Sequence, residues 1–228
     1  MIARALDDIQ FANIAATHLR ILLRREKTML AVGHLAIGYI TSKAARRALK
    51  TKINLPLIFL LSLIPDVDLL WPAHVHRGPT HSIVIATLIF LPAFVKYRKT
   101  SIPYFVALVQ HSLIGDLFAG DGAKLLWPIT NSWYGQGLSM TSPEAILLEW
   151  LCFGSALIIL TLSHDIRVLL KPDKANLLLT IPAGAIFLSA ILGIGYRAPM
   201  ALLIPHLVFL TLFALSILSF LRRSVFKT

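Results

Sequence analysis

Six long, nearly charge-free apolar stretches, at roughly 53–71, 80–95, 102–118, 144–163, 177–195 and 200–220, limit what this chain can become. A helix crosses the hydrocarbon core of a bilayer with about 20 apolar residues and satisfies its own backbone while doing so. The second and third stretches are near the lower length limit. A seventh, at 29–45, is shorter and runs into Ala44, Ala45, Arg46 and Arg47. The pattern predicts an all-α fold, a polytopic transmembrane helical bundle of six to seven spans. Composition agrees: 57% of the residues are hydrophobic and only 14% are charged, where a soluble domain is nearer a quarter charged. The mean hydropathy is +0.75. Cys152 is the single cysteine and lies in an apolar run, so there is no disulfide partner within the chain.

The net charge is +11. A basic balance can mean nucleic-acid binding, but here the basic residues sit in short runs between apolar stretches, which is how membrane topology is encoded. No nucleic acid is expected as a partner; membrane lipids are. Lys43, Arg46, Arg47, Lys50 and Lys52 fall in one loop, and Lys96, Arg98 and Lys99 in the next. Arg167, Lys171 and Lys174 fall in a third, and Arg222, Arg223 and Lys227 in the tail. The opposite loops hold Arg77, Lys124 and Arg197. Fourteen basic residues against three place the first set in the cytoplasm and the loops at 72–79, 119–143 and 196–199 outside. The expected location is the cell membrane, as a multi-pass integral protein.

Residues 1–28 form a basic, amphipathic N-terminal extension that lacks the apolar core of a signal peptide. It suits the membrane surface, and Met29 is an alternative first residue. Residues 29–228 read as a single membrane-embedded helical domain.

Polar residues inside the apolar stretches are few and grouped. Asp66 and Asp68 follow Pro65 among leucines. A carboxylate at mid-bilayer costs about 2.5–3.5 kcal/mol on insertion scales, so the pair needs partners. Pro65 also frees backbone carbonyls just before it. Then come His74, His76, Arg77, Gly78, Pro79, Thr80, His81 and Ser82, with a turn at Gly78-Pro79 and His81 in the first turn of a new helix. His74 alone reads as an incidental loop residue; His76 and His81 together read as functional. His111 and Asp116 lie five apart, about 140° on a regular helix, so they share a site only if Gly115 ends or widens the helix. Asp121 follows, then Leu126, Trp127 and Pro128, a return to the membrane interface. His34 falls at the same depth if its helix begins outside. Mixed histidine and aspartate ligands suit a divalent metal, zinc or another first-row ion. The site is expected within residues 29–130. A regular helix would point Asp68 about 200° away from Asp66, which suggests Asp66 as a ligand and Asp68 as a second-metal ligand or an orienting group.

These residues carry a resemblance. His34, Pro65-Asp66-Val67-Asp68, His76-Arg77-Gly78-Pro79-Thr80-His81-Ser82, His111 with Asp116, and Leu126-Trp127-Pro128 together resemble the LexA-regulated, membrane-bound, predicted metal-dependent hydrolase family over residues 29–130. The order of ligands is also similar to that of zinc-dependent phospholipase C and the P1-type nucleases. That likeness implies His34, Asp66, His81, His111 and Asp116 as metal ligands with Asp68 or Asp66 as base; with His76 and Arg77 this gives six candidate ligands and two catalytic candidates, Asp68 and Arg77. The usual spacing of three residues between His and Asp is four here. The expected function is a membrane-bound metal-dependent hydrolase acting on a lipid or phosphoester at the extracytoplasmic face. A proton or metal-ion transporter, and a non-catalytic membrane protein braced by a structural metal, are the alternatives.

Overall fold

The computed structural model describes residues 29–70, 76–118, 122–139, 141–192 and 198–225. The extension at 1–28, His74, Asp121 and Arg197 lie outside the described residues. Among the described residues there is no strand, only an isolated bridge between Ala123 and Tyr134.

Among the described residues, three helices are long and apolar enough to cross a membrane: Pro143–Leu162, Lys174–Ile191 and Met200–Ser224. They match the last three apolar stretches. The earlier stretches are shorter or interrupted. Helix α1 (Ala31–Leu49) has Lys43, Arg46 and Arg47 in its second half. The stretch at 53–71 is not one helix: α2 (Leu55–Leu61) ends at Ser62, and a 3₁₀ helix (Ile64–Leu70) follows. Pro65 has no N–H to continue the α ladder, and Asp66 N turns to Leu63 O in an i to i−3 bond. Helix α3 (Ile83–Tyr97) has 15 residues, about 22 Å at 1.5 Å per residue, short of a ~30 Å core. Helix α4 (Ile102–Gln110) continues as a π-helix from His111 to Asp116.

Helix α1 is the central element, packed against α4 and α5 (Pro143–Leu162) and reached by α2. Its Val32, Leu35 and Tyr39 join Phe59 of α2, Phe153 of α5 and Phe209 and Phe213 of the last helix in one core. Helix α6 (Asp165–Leu169), the 3₁₀ turn at Lys174–Leu179, α7 (Thr180–Ile186) and α8 (Leu203–Val225) complete the bundle. Gly38 lets α1 lie close against its neighbours: a Cβ there would overlap the Ser62 side chain and lie 2.9 Å from Gln110 Nε2. The outward faces are apolar. No residue of α3 is buried, and its Leu88, Ile89, Leu91 and Val95 are exposed.

The basic ends of the helices lie together. Asp165 accepts a hydrogen bond from the Tyr39 hydroxyl at 2.7 Å and pairs with Lys43. The helix termini that carry His34, Asp66, His81 and His111 are at the other ends of α1, α2, α3 and α4.

Candidate metal centre

The backbone of α2 and α4 sets the site. Because Asp66 N bonds to Leu63 O, Ser62 O has no helical donor. It accepts a hydrogen bond from His111 Nδ1 at 2.7 Å instead. This fixes the ring: Nδ1 carries the proton, and Nε2 presents its lone pair. The π-turn places His111 and Asp116 on one side, since residues five apart are neighbours when bonding runs from i to i+5. His111 Nε2 then lies 3.8 Å from Asp116 Oδ2 and 3.2 Å from Asp66 Oδ1.

His81 closes the ring of donors. It ends a short 3₁₀ turn (Pro79–His81) that leads into α3, and Ser82 caps that helix by accepting from Ile85 N. The Thr80 hydroxyl donates to Asp68 Oδ2 at 2.7 Å. It can therefore accept from His81 Nδ1, 3.0 Å away. His81 Nε2 is left facing Asp66 Oδ1 and Asp116 Oδ2, each at 3.4 Å. The two aspartates of the 3₁₀ helix thus flank His81, Asp66 beside Nε2 and Asp68 Oδ2 at 3.4 Å from Nδ1. Asp68 also accepts from His76 Nδ1 at 2.8 Å and from Arg77 N at 3.1 Å. Its two oxygens are already engaged.

Charge argues that something positive belongs in the middle. Two imidazole lone pairs and two carboxylates converge at 3.2–3.8 Å. His81 Nε2 and both Asp116 oxygens are buried without a hydrogen-bond partner, an arrangement that costs several kcal/mol without compensation. Zinc with ligands at about 2.0–2.1 Å has tetrahedral edges of about 3.3–3.4 Å. The donor set and its spacing fit a divalent ion of that size.

All six residues nominated as ligands lie in this cluster. Three overlapping groups, His34–Asp66–His111, Asp66–His76–His81 and His81–His111–Asp116, each bring one donor atom per residue within 4.8 Å of the others. The His34 ring is stacked on His111, with centroids 3.6 Å apart and planes at 8°, and both its nitrogens are buried without a partner. Gly115 makes the stack possible: a Cβ there would overlap the His34 ring. Arg77 is buried with φ of +65°, its Nε 3.3 Å from Asp116 Oδ1 and its Nη2 without a hydrogen-bond partner. Such a strained backbone persists only where the surroundings hold it.

Sequence reasoning missed several supporting groups. Thr80 lay within the quoted motif but has no ligand chemistry of its own. Ser62 acts through its carbonyl, which any residue type supplies. Gln110 Nε2 donates to His34 O at 3.1 Å and ties α4 to α1. Glu149, buried on α5, accepts from Leu30 N at 2.6 Å and so caps α1 from another helix. A carboxylate suits that end of the helix dipole, but its partner lies 119 residues away.

Residues 29–220 match one known family, described as YdjM inner membrane protein. No curated protein and no solved structure matches the chain.

Proposed function

The chain belongs to that inner membrane protein family and is an integral membrane protein; from that premise we propose that it is a metal-dependent hydrolase of a lipid or phosphoester, working at the extracytoplasmic face. In this reading the bundle has six to seven spans, with the short helices α1, α3 and α4 also held in the bilayer. The observation that carries the proposal is the convergence of donors from Asp66, His81, His111 and Asp116, with neighbouring donors 3.2–3.8 Å apart, near the ligand–ligand spacing of a zinc site.

The residues have separate roles. Asp66, His81, His111 and Asp116 hold the ion, zinc in the first instance, with His34 and His76 at its margin. When bound, such an ion supplies Lewis acidity and makes water acidic enough to act as a nucleophile near neutral pH. Asp68 orients His81 and His76 and fixes the His81 tautomer through Thr80, so that its part is positioning more than proton transfer. Arg77 offers an N–H to an anionic group beside the ion. The likeness to zinc-dependent phospholipase C and P1-type nucleases supports the same chemistry.

Transport is less well supported. The donors cluster at one end of α1 to α4, whereas a relay needs polar groups through the bilayer. The test is hydrolysis of bis(p-nitrophenyl) phosphate and of phospholipid vesicles by the purified protein, with and without zinc. Metal-dependent turnover lost in His81→Ala is expected. A stoichiometric metal with no turnover of either substrate would favour the structural reading.

A further inference from the structure

We propose that the phosphoester taken by this centre is a monoester, a terminal phosphate with three free oxygens, and that the Nε–Nη2 edge of Arg77 selects it. This rests on the metal-dependent phosphoester reading above and adds the substrate class.

Arg77 is fastened on several sides. Its N–H donates to Asp68 Oδ2 at 3.1 Å, its carbonyl accepts from Lys124 N at 3.0 Å, and its Nη1 reaches Gly122 O at 3.5 Å. The backbone is held at φ of +65°, which costs a side chain of this size, so the surroundings fix where the guanidinium sits. Nη1 lies on the Cδ side of the guanidinium. Nε and Nη2 form the opposite edge, a fork that grips two oxygens at once. Both atoms of that edge are buried and make no hydrogen bond.

Pairing with Asp116 does not use up the fork. Nε lies 3.3 Å from Asp116 Oδ1, but neither atom makes a hydrogen bond, so the contact is one of charge. Two buried donors without an acceptor are uncommon in a folded chain. A bound oxyanion supplies two acceptors together. Asp116 also ties the fork to the metal centre: its Oδ1 is on the Arg77 side, while its Oδ2 faces His81 Nε2 at 3.4 Å and His111 Nε2 at 3.8 Å. One carboxylate spans from fork to ring, and a phosphoryl group, with oxygens similarly spaced, can span the same interval. The ring comes to the surface at Asp66, whose side chain is 27% exposed against 0–1% for His81, His111 and Asp116.

Counting oxygens gives the class. An ion in the ring takes one phosphoryl oxygen, and the fork takes two. A monoester has three terminal oxygens and fills every position. A diester has two, so one N–H of the fork stays buried without an acceptor in the complex, which is costly.

The test is a matched pair of non-hydrolysable probes: phenylphosphonate, with three terminal oxygens, and its methyl ester, with two. Binding to the detergent-purified full chain loaded with Co²⁺ is followed in the visible spectrum, beside Arg77→Lys, which keeps the charge and loses the fork. Phenylphosphonate should bind at least about tenfold more tightly than its methyl ester, and the preference should fall below about threefold in Arg77→Lys at unchanged Co²⁺ content. Turnover should follow the same order, p-nitrophenyl phosphate ahead of bis(p-nitrophenyl) phosphate. Decylphosphonate separates the two sources of a terminal phosphate: binding tighter than that of phenylphosphonate marks a lipid headgroup, and equal or weaker binding a soluble ester. Equal affinity for the phenyl pair in the native protein overturns the proposal, and so does a preference that survives in Arg77→Lys. If the variant does not fold, the native comparison alone decides. A protein that takes up Co²⁺ and binds none of the probes overturns the phosphoester reading beneath the proposal; one that takes up neither Co²⁺ nor Zn²⁺ overturns the metal reading.

Discussion

At the scale of single residues, the site separates groups that hold an ion from groups that hold the holders. His81 Nε2 and Asp116 Oδ2 are buried and make no hydrogen bond, so Asp116→Asn should remove the metal, measured as ions per protein after purification. Asp68 has both oxygens engaged by His76, Thr80 and Arg77. Asp68→Asn should therefore keep stoichiometric metal but weaken its affinity by about 10–100-fold, the usual effect of losing an orienting partner. Complete metal loss in Asp68→Asn, with retention in Asp66→Asn, would reverse the two roles. Gly115→Ala should push the His34 ring off His111 and lower metal affinity by a comparable factor of about 10 or more, seen by competition with a chelator. Unchanged affinity would mean that His34 plays no part. The residue types of this site were legible in the sequence because ionisable groups in apolar stretches demand partners. Their pairing was not, since Ser62 O, Thr80 and Gly115 act through a carbonyl, a relayed hydrogen bond and a missing side chain.

At the scale of elements, the π-turn at the end of α4 is what lets an unusual spacing work. Four residues between His111 and Asp116 would splay them on a regular helix, and the wider turn brings them back to one side. Inserting one alanine between Leu113 and Ile114 should separate the pair and abolish metal binding. Deleting Leu113 gives a spacing that a regular helix accommodates, about 40° apart, and should retain it. If both variants bind metal equally, the turn is incidental. The capping of α1 by Glu149 is a second element-level device. Glu149→Leu should cost about 1–3 kcal/mol, the penalty of leaving a buried donor unsatisfied, and appear as a lower unfolding temperature in detergent. The last three helices were plain in the sequence because length and hydropathy suffice to define them. The stretch at 53–71 looked like a fourth, but the broken ladder at Pro65 divides it. Periodicity records apolar content and not where a backbone bond is lost.

For the whole molecule, the charge asymmetry and the site belong to one arrangement. The basic loops lie at the ends of α1 and α3 opposite the donors, so the positive-inside rule predicts an extracytoplasmic centre. A single cysteine at position 98, in a Cys152→Ser background, should be labelled only after the cells are opened. Labelling from outside would invert the protein and place the centre in the cytoplasm. Everything else in the functional account depends on whether the ring formed by Asp66, His81, His111 and Asp116 holds an ion. The most direct test is elemental analysis of the protein purified from membranes, beside His81→Ala prepared identically and extracted to the same level. The native protein should carry about one or more divalent first-row ions per chain, and the variant should lose that metal. Equal metal content in the two proteins, or none in either after incubation with zinc, would contradict it.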